Sequence, residues 1–361
     1  MTPTPLNGRR VLDLSRFISG SVAGQLLADY GAEVVKIEPP GGDPSRTFGR
    51  TDHGSIYFRA YNTGKDSVEL DLAQADGQQR LEQWLADSDA LITNLSPRAL
   101  VGLSLDWPRL HARHPHVTLG AVTGYGLDDD RTCFDAVAQS ESGYARLNAW
   151  SDGTPHVAAG YPVDVLAGMQ LGVAVGMALC DHLDVGRLVD VAMVEVAASL
   201  LCGAHGIQAA ETGHTPTGEG NRDRATSPAG VYPCRDGHVY VYGGADPHYG
   251  RLGDLIDLPD VPAGDRVGRA DQLDAVVADW TRQRTVEQVC AELGALGIPV
   301  GPVLDLPQAL GLLAAVRPQS VAATQPDGQA VPTHPTLFDG QRVPRRPAPP
   351  RPDAGSHGGG R

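Results

Sequence analysis

One acidic residue lies at the start of a long apolar segment, in a setting that could support chemistry. Asp164 stands between two valines in the stretch 160–172, GYPVDVLAGMQLG. Burial of this carboxylate without a partner would be costly. Because Pro162 precedes a helical pattern, Asp164 lies at or near a helix N-terminus, where aspartate is a preferred cap. A carboxylate in an apolar cleft could instead attack a thioester carbonyl or remove an acidic α-proton.

Composition and charge exclude several function classes. The chain has 361 residues, enough for two domains or for one large domain with a satellite. Its net charge of −14 argues against a nucleic-acid partner, since no basic stripe is present to neutralise phosphates. The five cysteines are scattered without the spacing of a metal site or a disulfide framework. We therefore expect reduced thiols, no metal and a cytoplasmic protein.

The apolar segments do not indicate a membrane partner. The N-terminus, MTPTPLNGRRVLDLS, lacks an apolar core of the length found in signal peptides. The longest apolar run, 165–180, is shorter than a membrane span and contains Gln170. We interpret it as a buried core helix.

The first third of the chain alternates between strand and helix patterns. RRVLDLS predicts a short buried strand, GSVAGQLLADYGA a helix that ends near Gly31, and EVVKIEPP a second strand stopped by prolines. The same alternation continues through a strand at 67–71, a helix at 79–87, and strands at 89–94 and 117–123. Strand, helix and strand in succession form the unit of a parallel sheet. The pattern predicts an α/β, doubly wound fold.

The pattern changes in the second half. The segment from Val165 to about Ala210 is predicted to be helical, and 212–226 has the composition of a linker or mobile loop. A strand at 238–242 and helices at 271–282 and 285–296 then predict a small α+β domain. Beyond Pro318 the chain is rich in proline and is expected to wrap over a surface, and we expect disorder in the last nine residues, DAGSHGGGR.

Several long segments resemble one enzyme family. The stretch 8–46, GRRVLDLSRFISGSVAGQLLADYGAEVVKIEPPGGDPSR, resembles the opening of the class III coenzyme A transferases, the CaiB/BaiF type, which include the α-methylacyl-CoA racemases and carnitine CoA-transferases. The resemblance continues, in order, through NTGKDSVELDL, SDALITNLSPRAL, FDAVAQSESGYARLN, YPVDVLAG, VGRLVDVAMVEVAASLL, GVYPCRDGHVYVYGG and LGIPVGPVLDLPQAL. Since these segments span nearly the whole chain, the sequence is identified as a member of this superfamily.

The resemblance implies an architecture that periodicity alone does not. Family members are interlocked, ring-like homodimers, with the active site between the large domain of one subunit and the small domain of its partner. By this resemblance, 1–200 and 308–361 form a large Rossmann-like domain and 225–307 a small α+β domain, with 201–224 as a linker.

The resemblance also implies a reaction. Asp164 matches the family's catalytic aspartate, which attacks an acyl-CoA thioester to form a mixed anhydride and then an aspartyl-CoA thioester. The implied function is a CoA-transferase that moves CoA from an acyl-CoA donor to a carboxylic acid acceptor. Its substrates are then small molecules, with acyl-CoA as a substrate rather than a bound cofactor, and it requires no metal.

The racemase branch provides a second hypothesis. Racemases have a histidine before the aspartate of the FDAVAQ motif, and here that position is Phe134, followed by Asp135. A 2-methylacyl-CoA racemase would need Asp164 together with Asp135, or with Asp246, to exchange the α-proton. Because Phe134 lacks a group that titrates near neutral pH, the sequence favours transfer over racemisation.

The resemblance further implies which residues contact CoA, and it leaves a third hypothesis open. The implied contacts are Ile18, Ser19, Lys65, Leu70, Asn94, Arg98, Arg131 and Phe134. Basic residues that would hold the CoA phosphates are replaced at Pro39, Ala73 and Gly102, although Lys65, Arg98, Arg131 and Arg46 could compensate. The third hypothesis is therefore a family fold recruited to CoA-independent chemistry in a biosynthetic pathway.

Overall fold

The computed structural model describes residues 4–181, 185–201, 204–213, 218–318, 322–324 and 328–352. The chain divides into two compact units. One comprises Met1–Tyr144, Val157–His214 and Leu313–Arg361, and the other comprises Ala145–His156 and Thr215–Leu312. The segment 353–361, for which we expect disorder, and Cys202 lie outside the described residues.

The first unit contains a six-stranded parallel sheet with the strand order β5-β2-β1-β6-β7-β8. The strands of this sheet are β1 (Arg10–Asp13), β2 (Glu33–Glu38), β5 (Asp66–Glu69), β6 (Ala90–Thr93), β7 (Thr118–Thr123) and β8 (Leu188–Ala192). Short two-stranded ladders are formed by β3 (Arg50–Thr51) with β4 (Gly54–Ser55), β12 (Ala322–Thr324) with β13 (Ala330–Pro332), and β14 (Leu337–Phe338) with β15 (Gln341–Arg342). The prediction of an α/β fold with a parallel sheet is confirmed. The order reverses between β1 and β6, and ligands of such sheets bind at this reversal, outside the carboxyl ends of the strands.

Helices cover both faces of the sheet. The helices of the first unit are α1 (Ser19–Asp29), α2 (Ile56–Tyr61), α3 (Ala75–Ala86), α4 (Pro97–Gly102), α5 (Trp107–Arg113), α6 (Asp135–Glu141), α8 (Pro162–Cys180), α9 (Met193–Ser199) and α10 (Ala204–Thr212), whereas α7 (Tyr144–Leu147) belongs almost wholly to the second unit. Successive strand residues point to opposite faces, so Val11 belongs to a core cluster with residues of α1 and α8, and Leu12 to a second cluster with residues of α3 and α5. Burial on both faces explains why β6 (ALIT) and β7 (TLGAVT), whose residues are all buried, contain no charged residue.

The prediction of helix from Val165 to Ala210 is wrong in its middle. Helix α8 ends at Cys180, and Leu188–Ala192 forms β8, the edge strand paired in parallel with β7. The sequence LVDVA is a short run rich in apolar and β-branched residues, which is typical of a buried strand but can also be read as part of an apolar helix. Helix α10 then occupies Ala204–Thr212, inside the segment 201–224 that we expected to be a linker.

Helix α8 packs closely against α1 at glycine positions. A Cβ atom on Gly168 would overlap the carbonyl oxygen of Ser19, so only glycine permits this approach. By length and composition α8 could also cross a membrane. Since one of its faces, which includes Val163, Leu171 and Val175, is fully buried in the core, we interpret it as a core helix.

The second unit contains an antiparallel sheet with the order β11-β10-β9. Its elements are β9 (Ala229–Pro233), β10 (His238–Tyr242), α11 (Asp246–Ile256), α12 (Ala270–Arg282), α13 (Val286–Ala295) and β11 (Val300–Pro302), and α14 (Leu306–Val316) follows. The strand predicted at 238–242 is observed with the same bounds. A capping box between Thr285 and Gln288 begins α13, as is typical of helix starts.

Candidate active site

Asp164 lies where two cavities meet in the first unit. One cavity, of about 430 Å³, is lined by the loops that follow β1 and β6, by the end of β7, and by the first residue after β8. It is therefore located at the carboxyl ends of the strands that flank the reversal in strand order, where this class of sheet binds ligands. The other cavity, of about 650 Å³, is lined largely by aromatic side chains. The residues common to both cavities are Phe17, Ile18, Phe134 and Asp164.

Helix α8 directs Asp164 into these cavities. Tyr161 is the N-cap of the helix, and Asp164 is its third residue, partly buried. Burial raises the pKa of the Asp164 carboxyl to about 7, and the neighbouring charge of Asp135 adds to this increase. A hydrogen bond from the Ser19 hydroxyl opposes the increase by stabilising the charged form. The result is a basic carboxylate that titrates near neutral pH.

The helix is capped by a different acid. Oδ1 of Asp135 accepts hydrogen bonds from the backbone N–H of Val163 at 2.8 Å and of Asp164 at 3.1 Å, and its other oxygen accepts one from Gln139. The interpretation of Asp164 as the cap is therefore wrong, and its side chain is free to face the cavities. Asp135 also lines the larger cavity but is 5% exposed. Asp135 is 28 residues before Val163 in the sequence, so the local sequence around α8 does not indicate that Asp135 caps this helix.

The loop after β1 is held in place by Asn94. Nδ2 of Asn94 donates to the carbonyl oxygen of Arg16 at 2.7 Å, and its Oδ1 accepts from the N–H of Arg16 at 2.8 Å. The same Nδ2 lies 3.3 Å from the Ser19 hydroxyl oxygen. Asn94 thus orients the serine that contacts Asp164. Ile18, Ser19 and Asn94, all predicted to contact CoA, line the smaller cavity.

Lys65 has a role that differs from the predicted one. Its ammonium group is completely buried and donates to Asp13 at 2.7 Å, to Asn62 at 2.7 Å and to the carbonyl oxygen of Ser21 at 2.8 Å. All three contacts lie inside the protein, so the prediction that Lys65 contacts CoA is wrong. Lys65 instead stabilises the first turn of α1 through its hydrogen bond to the carbonyl oxygen of Ser21.

Two more predicted contacts lie away from the cavities. Leu70 packs against the core cluster that contains Leu12 and lines neither cavity, and its contact with CoA stays a prediction. Arg46, offered as a compensating cation, forms a two-pronged ion pair with Glu38 and stacks on Phe58. Because the guanidinium of Arg46 is paired with Glu38 inside the protein, it is not free to replace a missing phosphate contact.

The smaller cavity has two arginines in its wall. Arg131, which was predicted, pairs with Asp129 at 3.0 Å and stacks 3.7 Å above the ring of Tyr125. Arg16 also lines this cavity, is exposed, and forms no salt bridge among the described residues. Sequence reasoning missed Arg16, although its place directly after a buried strand was a signal. Arg98 is exposed, and its flanking residues Pro97 and Ala99 line the cavity while Arg98 itself does not.

Phe134 and Asp246, the remaining candidates, differ in their surroundings. Phe134 lies between the cavities, is 59% exposed, and contacts the edge of Phe17 with ring centroids 6.2 Å apart. Asp246 belongs to the second unit, where it forms a salt bridge with Arg266 at 2.7 Å.

Known proteins with similar sequences and structures point to one family. The sequence model of CoA-transferase family III matches residues 6–358. The succinyl-CoA–D-citramalate CoA-transferase of Chloroflexus aurantiacus is 30% identical over 83% of this chain and 79% of its own length. The acetyl-CoA:oxalate CoA-transferase of Acetobacter aceti is 27% identical over 97% of this chain and 93% of its own. The structure of Rv3272 from Mycobacterium tuberculosis superposes with a TM-score of 0.83 at 25% identity, and 97% of each chain is covered. This chain therefore belongs to CoA-transferase family III.

Proposed function

We propose that this enzyme transfers CoA from an acyl-CoA to a carboxylic acid, with Asp164 as the nucleophile. The observation that carries the proposal is the position of the Asp164 carboxylate at the junction of two cavities. One cavity can take the CoA arm and the other the acyl group, and the thioester carbon then lies beside the carboxylate. The pKa of about 7 gives an oxygen more basic than an ordinary aspartate yet ionised in a large fraction at neutral pH.

The proposed reaction consists of two symmetrical halves. An oxygen of Asp164 attacks the thioester carbonyl carbon, the C–S bond breaks, and the CoA thiolate leaves behind a mixed anhydride. The thiolate then attacks the aspartyl carbonyl carbon, which releases the donor acid and leaves an aspartyl-CoA thioester. The acceptor carboxylate reverses both steps, so that acceptor acyl-CoA departs and Asp164 is regenerated. Division into smaller steps lowers each barrier.

The surroundings of Asp164 can support these steps. The N-terminal turn of α8 favours negative charge near its backbone amides, where oxyanions would form. The Ser19 hydroxyl, oriented by Asn94, stabilises the ionised form of the nucleophile. Ile18, Asn94, Arg16 and Arg131 then form the CoA side of the site, with Arg98 at its margin.

The contacts of Asp135 favour transfer over racemisation. A second base must reach the α-carbon with a free oxygen, but both oxygens of Asp135 accept hydrogen bonds from α8 and Gln139. Phe134, at the position of the racemase histidine, offers no base. We therefore propose that Asp135 positions Asp164 and does not exchange protons with substrate.

We further propose an interlocked homodimer. The resemblance implies this assembly, with the large domain formed by 1–200 and 308–361, the small domain by 225–307 and the linker by 201–224. Two apolar surfaces support it, one on α14 and one on the outer face of α8. Helix α14 exposes Leu306, Leu310 and Leu312, and α8 exposes Met169, Val173 and Met177.

A cytoplasmic location is also proposed. The compartment in which the enzyme acts has to contain its proposed acyl-CoA substrates. The described cysteines Cys133, Cys180, Cys234 and Cys290 are free thiols. Free thiols are typical of a reducing compartment.

Chemical trapping tests the proposed nucleophile. Hydroxylamine should convert Asp164 to a hydroxamate, detected by peptide mass spectrometry, only after an acyl-CoA is added. Asp164→Ala should lose CoA exchange, whereas Asp246→Ala, in the other unit, should retain it. Undiminished exchange by Asp164→Ala would exclude the mechanism. Rapid α-deuteration of a 2-methylacyl-CoA without any acceptor acid would instead support the racemase alternative.

A further inference from the structure

We propose that the larger cavity is an acyl pocket for monocarboxylic acids with an apolar, aromatic-sized tail, and that it discriminates against a second carboxylate. This inference rests on the proposed CoA-transferase function and specifies its substrate class. The cavity volume of about 650 Å³ lies within the range of pockets that enclose small organic ligands.

A continuous series of aromatic rings forms the wall of this pocket. Aromatic residues are 5% of the chain, yet six of them line this one cavity. The centroid distances are 6.2 Å from Phe134 to Phe17, 6.3 Å from Phe17 to Phe48, 6.1 Å from Phe48 to Tyr57 and 6.3 Å from Tyr57 to Tyr161. Their orientations are stacked or edge-to-face, which are the favourable geometries for aromatic pairs. A phenyl or similar group could extend this series.

Two of these rings are placed by unusual backbone conformations. Phe17 has a φ angle of 60° and Tyr161 one of 58°, in the left-handed region that bulky residues rarely adopt. Of the five non-glycine residues with positive φ in the described ranges, these are the only aromatic ones, and both line the pocket. Strain of this kind persists where the surrounding structure enforces it, often at ligand sites. It places both rings in the wall of the cavity that Asp164 faces.

The charges of the pocket oppose a dicarboxylate. No lysine, arginine or histidine occurs among the described residues that line it, and its charged groups are the carboxylates of Asp135 and Asp164. The cation next in sequence to the lining residue Ser45 is Arg46, which is paired with Glu38. A second substrate carboxylate would therefore be desolvated without a partner and repelled by two acids.

The two cavities differ in the chemistry that each can accommodate. The smaller one has Arg16, Arg131 and Asn94 in its wall, which suit the polar pantetheine and phosphate groups of CoA. The larger one is lined by rings. The similar proteins are named for transfer to D-citramalate and to oxalate, which are dicarboxylates, so this chain is expected to differ from them in acceptor class.

Acylation of Asp164 by different thioesters tests this inference. Hydroxylamine trapping at Asp164 would be followed with 3-phenylpropanoyl-CoA and with succinyl-CoA at matched concentrations, using the full-length protein. We expect the specificity constant to be at least about tenfold higher for the phenylpropanoyl thioester, since burial of an unpaired charge is costly. An equal or higher value for succinyl-CoA would overturn the pocket assignment while leaving the transferase function intact. Failure of both thioesters to label Asp164 would instead reject the proposed function, and this inference with it.

Introduction of a cation into the pocket provides a second test. Phe48 is 46% exposed, so Phe48→Arg can place a guanidinium in the cavity with little loss of core packing. The preference should shift about tenfold or more toward succinyl-CoA, because arginine pairs well with a carboxylate. Val267→Arg, at an exposed site outside the lining, adds the same charge and should leave the preference unchanged. If thermal unfolding shows that Phe48→Arg does not fold, Tyr57→Arg would be used in its place. An unchanged preference between the two thioesters in a folded variant would contradict the proposal.

Discussion

The carboxylate of Asp135 accepts a hydrogen bond from the backbone N–H of Asp164 at 3.1 Å, and its negative charge adds to the increase that burial causes in the pKa of the Asp164 carboxyl. One acid thus caps the helix that carries another. The capping acid fixes the first turn of α8, and the capped turn directs the second acid toward the cavities. This relationship makes the protonation of Asp164 sensitive to a residue that does not itself have a free oxygen for substrate.

Replacement of Asp135 by asparagine should shift the pH dependence of the enzyme. The side-chain oxygen of an asparagine can still cap the helix. Burial would still raise the pKa of Asp164, but the additional increase caused by the charge of Asp135 is removed. We expect the acidic limb of the kcat/KM profile, which reports the free enzyme, to move to lower pH. Asp135→Ala should in addition lose about 0.5–2 kcal/mol of stability with the cap. An unmoved acidic limb in the asparagine variant would contradict the coupling.

Asp164→Asn should stabilise the protein at neutral and alkaline pH while abolishing CoA exchange. The pKa of Asp164 is raised in the folded protein from 3.8 to about 7, so the folded state binds this proton more tightly than the unfolded state. The contribution of Asp164 to the free energy of unfolding of the wild type therefore falls as pH rises from about 4 to about 7 and then stays level. The asparagine variant does not show this decrease, because its side chain does not ionise. The gain should be absent near pH 4 and reach a few kcal/mol at most above pH 7, at about 1.4 kcal/mol per pKa unit.

Urea unfolding at about pH 4, 6 and 8 measures this difference, because these values span the titration of the folded and unfolded states. Asp254→Asn, which changes an exposed acid of the second unit that forms no salt bridge among the described residues, provides the comparison for a change of net charge alone. A stability gain that is the same at all three pH values would rule out Asp164 as its source.

Ser19→Ala should move the acidic limb in the opposite direction from the Asp135 variant. The serine hydroxyl donates to the ionised carboxylate, so its removal takes away a group that lowers the pKa of Asp164. The rate of Asp164 acylation should then fall at about pH 6 and recover in part at about pH 8, where the carboxyl is again ionised. Ser19→Thr, which keeps the hydroxyl, should lie closer to the wild type. A uniform loss of rate at every pH would show that Ser19 acts by some other means than the ionisation of Asp164.

The parallel sheet could be predicted because the signals of strand and helix are local and periodic. The strands at Arg10–Asp13, Glu33–Glu38 and Thr118–Thr123 lie within predicted segments, since fully buried strands are short, apolar runs between turn residues. Strand Leu188–Ala192 is not evident from the sequence because LVDVA is a short, mostly apolar run between two helices, and such a run does not distinguish strand from helix by its period.

The candidate site was predictable in its nucleophile but not in its supports. Asp164 was identified by its helix position and by family resemblance, both of which are read along the chain. The cap from Asp135 and the burial of Lys65 depend on contacts between residues far apart in sequence. A lysine in a loop gives no sign of whether it faces CoA or an internal aspartate, and here the fold places it against Asp13.

Gly168→Ala should damage both stability and activity. The added Cβ would overlap the carbonyl oxygen of Ser19, so α1 and α8 would have to move apart. Overpacking of this kind costs about 1–3 kcal/mol, and the displaced Ser19 would no longer reach Asp164. Gly176→Ala lies on the same helix, where the nearest atom, on Leu27, is 3.6 Å away. That variant should be neutral or slightly stabilising, since alanine favours helix over glycine. Equal melting temperatures for the two variants would contradict the close contact.

The contrast between Lys65 and Arg131 separates support of the fold from binding of CoA. Lys65→Met leaves the carboxylate of Asp13 buried without its salt-bridge partner, which should cost about 3–5 kcal/mol of stability. Arg131→Gln, at an exposed position in the wall of the smaller cavity, should leave the melting temperature close to that of the wild type, since surface ion pairs contribute little.

Calorimetric titration with CoA should then give the reverse ranking. Loss of a charge-assisted contact with a phosphate should weaken binding about tenfold or more in Arg131→Gln, and also in Arg16→Gln. Under conditions where Lys65→Met remains folded, its affinity for CoA should stay near that of the wild type, because the ammonium group of Lys65 is directed to Asp13, Asn62 and Ser21. Should folded Lys65→Met bind CoA as poorly as the arginine variants, the internal lysine would have to reach the ligand after all, against the contacts that now enclose it.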